Sequence, residues 1–289
     1  MTMEPESIVI KKSRKFYSPL RYPGGKAGLS SFLFDLIDYN HIINCTYVEP
    51  FAGGAGAALA LLFLEKVDRI IINDLDKSIY AFWRVTLNYT ERFIEKIRNI
   101  DVTIKEWHKQ KRIYKDKYSS EFDRGFATFF LNRTNRSGII EGGPIGGMKQ
   151  NGKWKIDARF NKENLIERIK RIALYRSRIK ILNIDGIELM KQVYNMPNTL
   201  TYVDPPYYEK GSSLYLNHYH ESNHIELANF LNNHQEFNWL LTYDNVPEIM
   251  ALYPERTKFE FDLYYHINKP KLRKEILIKS DSISIQCRY

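Results

Sequence analysis

Apolar and polar positions follow two regimes along this chain. Tyr47-Val48-Glu49 and the stretch from Arg69 to Asn73 read as short buried strands. Between them lie a Gly-rich turn and an apolar run from Ala57 to Leu64, which reads as a buried helix. From Ile79 to about Ile172 the strand pattern stops, and helical stretches alternate with loops crowded with Lys, Arg, Tyr, Phe, Trp and Asn. Strand patterns resume at Ile179 to Leu182, Leu200 to Val203 and Trp239 to Thr242, separated by helix-length segments. Phe259, Phe261, Leu263 and Tyr265 then alternate with polar neighbours, and Glu275 to Lys279 forms a last β run, so a closing hairpin is expected. This order predicts an α/β fold, a doubly wound mixed sheet that is mostly parallel with one antiparallel strand near the C-terminus. A mainly helical insertion, residues 86–170, divides the sheet domain into 1–85 and 171–289.

Composition narrows the class. With 289 residues, 44% hydrophobic and 27% charged, the chain is neither disordered nor fibrous and can bury a substantial core. Its two cysteines, Cys45 and Cys287, stand in no CxxC or CxxH spacing, which argues against a disulfide framework and a structural zinc site. No apolar run approaches the ~18 residues of a membrane span, and Glu4, Glu6, Lys11 and Lys12 interrupt any signal-like core, so a cytoplasmic protein with no membrane partner is expected. Forty-three Lys plus Arg against 34 Asp plus Glu leave +9, a surplus that attracts a polyanion, and nucleic acid is the candidate. The histidines are scattered; His218-x-His220 is the closest approach to a metal-ligand spacing, and no metal is expected.

Two constellations carry candidate chemistry. The first is Glu49-Pro50-Phe51-Ala52-Gly53-Gly54-Ala55-Gly56, between a strand and a helix, where glycines let a ligand approach bare backbone. Asp74 ends the following strand, the position from which a carboxylate reaches both hydroxyls of a ribose, so an adenosine-containing ligand is suggested. Read alone, the same residues equally fit a helix packed close to a sheet and a capping aspartate. The second is Asp204-Pro205-Pro206-Tyr207, directly after a strand and so at the carboxyl edge of the sheet, where open α/β folds bind ligands. There a carboxylate can accept one hydrogen of an amino group and the Pro205 carbonyl the other. Pro205 and Pro206 stiffen the loop, and Tyr207 offers a flat face for a planar base.

Taken together, these residues resemble the Dam-like class of S-adenosylmethionine-dependent adenine-N6 DNA methyltransferases, which have a Rossmann-like catalytic domain. The likeness runs over nearly the whole chain: Arg21-Tyr22-Pro23-Gly24-Gly25-Lys26 near the start, the F-x-G-x-G-like loop, an insertion, then D-P-P-Y. Leu131-Asn132-Arg133-Thr134-Asn135-Arg136-Ser137-Gly138-Ile139 is similar to the family's N-R-T-x-x-S/N-G segment, and Lys274 to Ile278 to its closing strand. One departure is Ala55, where the strict cofactor pattern has glycine.

The resemblance implies S-adenosyl-L-methionine as cofactor, held by Tyr22, Gly24, Gly25, Lys26, Glu49, Phe51, Gly53, Gly54, Asp74 and Asp185, with the last receiving the adenine amino group. From the residues alone, Lys26 also reads as a solvated lysine at a helix start and Asp185 as an N-cap. It implies catalysis by Asp204, Pro205, Pro206 and Tyr207 on an adenine flipped out of double-stranded DNA, in a short recognition sequence, with a restriction endonuclease as a functional companion. Asn132, Arg133, Asn135, Arg136, Ser137, Lys149 and Lys153 are then the expected nucleic-acid contacts. Methylation of cytosine-N4 in DNA or of adenine in RNA uses the same amino-group chemistry, and a non-catalytic DNA-binding relative is the remaining alternative.

Overall fold

The computed structural model describes residues 5–8, 10, 17–21, 26–208, 219–265 and 271–286. Tyr22, Gly24 and Gly25, together with Cys287, His218 and His266, lie outside them. Among the described residues eight strands form one sheet: β1 (Glu6–Ser7), β2 (Thr46–Glu49), β3 (Arg69–Asn73), β4 (Ile179–Leu182), β5 (Thr199–Val203), β6 (Asn238–Asp244), β7 (Lys258–Tyr265) and β8 (Lys271–Lys279). Their spatial order is β1-β7-β8-β6-β5-β2-β3-β4. Every pairing is parallel except those of β8 with β6 and β7. The expected mixed sheet with one antiparallel strand near the C-terminus is therefore present. The strand order reverses between β2 and β5, and the loops leaving these two strands flank the crevice in which doubly wound folds bind ligands.

The helices follow the hydrophobic pattern. Helix α1 (Ser30–Tyr39) presents Leu33, Leu36 and Ile37 to the core. In α2 (Gly56–Phe63) every residue after the first is buried, the mark of a helix covered on all sides. Helix α3 (Lys77–Asn88) begins at Asp76, whose carboxylate accepts from the Ser78 amide at 2.7 Å. After it come α4 (Thr90–Asn99), α5 (Ile104–Lys115), α6 (Glu121–Thr134) and α7 (Lys162–Leu174), all between β3 and β4. The later half carries α8 (Gly186–Val193), α9 (Glu221–Asn233) and α10 (Pro247–Leu252).

The helices between β3 and β4 do not pack around a core of their own. Phe82, Phe93, Phe126, Phe129 and Phe130 belong to the same buried cluster as Leu33, Tyr47 and Ile70 of the sheet region. Aromatic contacts bind this helical part together, among them Phe93 against Phe129 at 5.2 Å and Phe129 against Phe160 at 5.5 Å. The buried core thus runs without a break from the sheet into the insertion.

Candidate active site

The carboxyl ends of β2, β3 and β4 are tied together by Asn73, which no sequence motif marks. Buried at the end of β3, its amide donates to the carbonyls of Pro50 and Ile184, each at 2.9 Å, and its oxygen accepts from the Ile184 amide at 3.0 Å. The neighbouring Asp74 accepts from Gly53 N and from Asp76 N, each at 2.9 Å. The Gly53 carbonyl is in turn held by the Trp83 indole at 3.0 Å. Burial, reinforced by the Asp76 charge, pushes the Asp74 carboxyl up to about 7. Ala55 caps α2 in the left-handed region, φ 45° and ψ 38°. That backbone costs an L-residue roughly 1–2 kcal/mol, which explains why the strict pattern has glycine there.

Glu49, at the end of β2, is buried and accepts from the Ala58 amide at 3.0 Å; burial pushes its carboxyl up to about 8. The Phe51 ring lies on the backbone of Gly186, so close that a β-carbon there would meet the ring at 2.5 Å. Asp185 is the N-cap of α8: its Oδ1 accepts from Ile187 N at 2.8 Å and Glu188 N at 3.3 Å. The capping role that the sequence left open is thus real, and both of these bonds end on one oxygen.

Asp204, directly after β5, is held by two donors on one oxygen. Lys26 Nζ lies 2.7 Å and Thr242 Oγ1 3.0 Å from Oδ1. Register explains the threonine, since Val203 pairs with Leu241 and Thr242 stands one step beyond. Lys26 Nζ also donates to the Tyr207 hydroxyl at 2.7 Å and lies 3.6 Å from Glu275 Oε2. The Tyr207 hydroxyl donates to Glu275 Oε1 at 2.6 Å. The Lys26 and Glu275 side chains are each 3% exposed, against 21% for Asp204, so Asp204 is the member of the cluster that opens toward solvent.

Burial pulls the Lys26 ammonium down, but Asp204 and Glu275 together outweigh it, so Lys26 titrates above its ordinary range. For Asp204, burial raises the carboxyl, Glu275 adds to this, and Lys26 only partly opposes them. Glu275 was not expected as a site residue. Its signal was available, because it is the lone acid in an Ile-Leu-Ile run.

Tyr207 differs from expectation. Its ring is 6% exposed and its hydroxyl is bonded on both sides, so in this structure it is a member of a buried polar network and not an open stacking face. Pro205 is buried and Pro206 half-buried beside it, and the Tyr208 amide donates to Asp244 at 3.2 Å.

Three expected nucleic-acid contacts are bonded to the protein's own main chain. Asn132 is fully buried, and its amide is used on the Arg21 main chain and the Gly138 carbonyl. Asn135, also fully buried, accepts from the Trp107 indole at 2.6 Å and donates to the carbonyls of Ile139 and Ile140. Arg133 donates through Nε, at 2.7 Å, and Nη2 to the Arg159 carbonyl. Amides with all their hydrogens spent cannot read base edges. Burial, with repulsion from Arg21, Arg168 and Arg159, pulls Arg133 down to about 9, so it stays charged at neutral pH. Ser137 is half-buried with φ 56°, whereas Arg136, Lys149, Lys153 and Trp154 are exposed.

Among the described residues no group of three or more His, Cys, Asp or Glu could hold a metal, and no helix is long and apolar enough to cross a membrane. A Type II methyltransferase, M.MjaIII of Methanocaldococcus jannaschii, is 27% identical over 173 residues, covering 56% of this chain. The chain spans 58% of that relative's length. A solved protein of Pyrococcus horikoshii, described as a candidate RNA methyltransferase, shares 12% identity, covers 96% of this chain and 92% of its own, and superimposes with a TM-score of 0.38. A family profile described as D12 class N6 adenine-specific DNA methyltransferase matches residues 22–271, and with that match over most of its length the chain belongs to this family.

Proposed function

We propose that this protein methylates the N6 amino group of adenine in a short duplex DNA sequence, using S-adenosyl-L-methionine and a base flipped out of the helix. One observation carries the reading: Lys26 and Thr242 both hold Asp204 through Oδ1, at the crevice where the strand order reverses. Among the described residues no hydrogen bond reaches the second oxygen, which is left for an incoming donor. An adenine amino group is a poor nucleophile because its lone pair is delocalised into the ring. A carboxylate and the Pro205 carbonyl accepting its two hydrogens favour a pyramidal nitrogen and stabilise the positive charge that develops there. Catalysis is then chiefly orientation within a water-poor pocket, and Asp204 holds the amino proton.

The residues fit the cofactor. Glu49, Asp74, Asp204 and Glu275 outnumber the single ammonium of Lys26, and a site with surplus buried carboxyl groups suits a cationic ligand. Asp74, at the end of β3, would receive the ribose hydroxyls, Phe51 and Asp185 the adenine, and the turn at Gly53 and Gly54 the chain between them. When bound, the cofactor supplies an electrophilic methyl group, so no protein nucleophile is required.

Residues 86–170 serve as the target-recognition part, with Arg136, Lys149 and Lys153 facing DNA. Arg21, Arg159 and Arg168 all repel Arg133, Arg159 also repels Arg21, and among the described residues none of the four forms a salt bridge. Such a cluster suits phosphodiesters. A cytoplasmic setting and pairing with a restriction endonuclease belong to the same reading.

The test offers unmodified genomic DNA and total RNA side by side with isotope-labelled S-adenosylmethionine, followed by base-resolved product mapping. N6-methyladenine in duplex DNA is expected. N4-methylcytosine or a methylated RNA would replace the substrate assignment, and cofactor binding by calorimetry without any product would make the chain a non-catalytic relative.

A further inference from the structure

Strand register carries an acid from the last strand to the carboxyl edge of the sheet. Val203 of β5 pairs with Leu241 of β6, and beyond it Thr242 and Asp244 pair with Leu277 and Glu275 of β8. Cross-strand partners share a face and alternate residues return to it, so Thr242, Asp244 and Glu275 stand on one face. Asp204, one step past Val203, meets Thr242 there at 3.0 Å.

The same face holds the Lys26 ammonium, which is shared. Nζ donates to Asp204 Oδ1 and to the Tyr207 hydroxyl, each at 2.7 Å, and lies 3.6 Å from Glu275 Oε2. The Tyr207 hydroxyl has one hydrogen, and it goes to Glu275 Oε1 at 2.6 Å, so toward Lys26 the tyrosine can only accept. Glu275 therefore draws on the ammonium twice, by its own charge and through a hydroxyl that it orients.

We propose that Glu275 is a positioning residue: directly and through Tyr207 it holds part of the Lys26 ammonium away from Asp204, and so leaves Asp204 a stronger acceptor for the amino hydrogens of the substrate. An ammonium given wholly to Asp204 would spend that carboxylate on an internal ion pair, whereas one shared with a second carboxylate neutralises it less. Thr242 fixes Oδ1 without bringing a charge. Burial raises the Asp204 carboxyl most; Lys26 then lowers it and Glu275 raises it, in line with this division. Among the described residues the other titratable groups facing Asp204 are Glu49, Tyr202 and Tyr243, none of them cationic. The catalytic consequence rests on the proposed role of Asp204; the sharing of Lys26 between two carboxylates does not.

The test compares Glu275→Gln with Lys26→Met. Glu275→Gln keeps the size of the side chain and an oxygen that can accept from Tyr207, so it removes the charge and little else; thermal unfolding checks that it is folded. NMR of protein carrying carboxyl-labelled aspartate, with the Asp204 signal assigned by its absence in Asp204→Asn, follows the ionisation of Asp204 without substrate. The titration midpoint should move to lower pH in Glu275→Gln, which loses a like charge, and to higher pH in Lys26→Met, which loses a counter-charge. The acidic limb of kcat/KM reports the free enzyme and should move in the same two directions. Above that limb Glu275→Gln should be slower by about threefold to tenfold, because a weaker base is left to accept the amino hydrogen.

A slower Glu275→Gln with unmoved midpoint and limb would overturn the proposal and leave Glu275 a structural residue, and a midpoint that rises would overturn it as well. If Glu275→Gln does not fold, Glu275→Met removes the charge with an apolar chain of similar length, and the same midpoint decides. Wild-type protein that forms no methylated adenine would sink the functional reading, while the NMR midpoints would still decide whether Glu275 acts on Asp204.

Discussion

The ammonium of Lys26 and Oδ1 of Asp204 lie 2.7 Å apart, although 178 residues separate them in the chain. The ammonium is nearly enclosed, and Glu275 brings a second carboxylate within 3.6 Å of it. Replacing Lys26 by methionine leaves two carboxyl groups facing each other without a cation. Loss of one partner from a buried pair costs about 3–5 kcal/mol, so denaturant unfolding of Lys26→Met should show a loss on that scale. An unfolding midpoint equal to wild type would mean that the lysine contributes nothing to the fold of this site.

Tyr207→Phe separates the two roles open to the tyrosine. A stacking face needs only the ring, whereas the hydroxyl here accepts from Lys26 and donates to Glu275. Removing it should cost about 1–3 kcal/mol in stability and lower methylation, because the groups left behind are buried. Full activity in the phenylalanine variant would return Tyr207 to a purely stacking role.

Cofactor binding should depend on pH through Asp74. Burial raises its folded-state value to about 7 from 3.8, so the folded protein holds a proton that the unfolded chain releases between those limits. Its contribution to stability is present at low pH and is lost as pH rises from about 4 through about 7. A ribose diol donates hydrogen bonds and favours the carboxylate, so S-adenosylmethionine affinity should climb between pH 6 and 8. Calorimetry across this range should find the slope in wild type and its absence in Asp74→Asn; an equal slope in both would remove Asp74 from the ribose site.

The arginine cluster predicts a salt signature. Each phosphate contact contributes about 0.9 to the slope of log affinity against log salt concentration, so Arg159→Gln should reduce the slope by about that amount. The reduction should be equal for cognate and unrelated duplexes. Because Arg133 and Arg21 are held down by the Arg159 charge, the substitution should not lower the melting temperature of the free protein. A loss confined to the cognate sequence would make Arg159 a base-reading residue.

Every strand but the two-residue β1, and the place of Asp204, were legible because they depend on local rules. Period-two and fully apolar runs mark strands, and a residue that directly follows a parallel strand must lie at its carboxyl edge. Ala55 was legible as a departure, and its positive φ gives that departure a cost. The sequence by itself thus determined the α/β order, the interruption between β3 and β4, and the family. It could not determine what each polar side chain touches. Asn132 and Asn135 carry the same amide whether they face a base edge or a main-chain carbonyl, and only burial within the shared core turned them inward. The joining of Lys26, Asp204, Tyr207 and Glu275 was likewise left to tertiary structure. Distances of a few ångströms between residues far apart in the chain are set by strand register and helix packing, and neither is written in any local pattern.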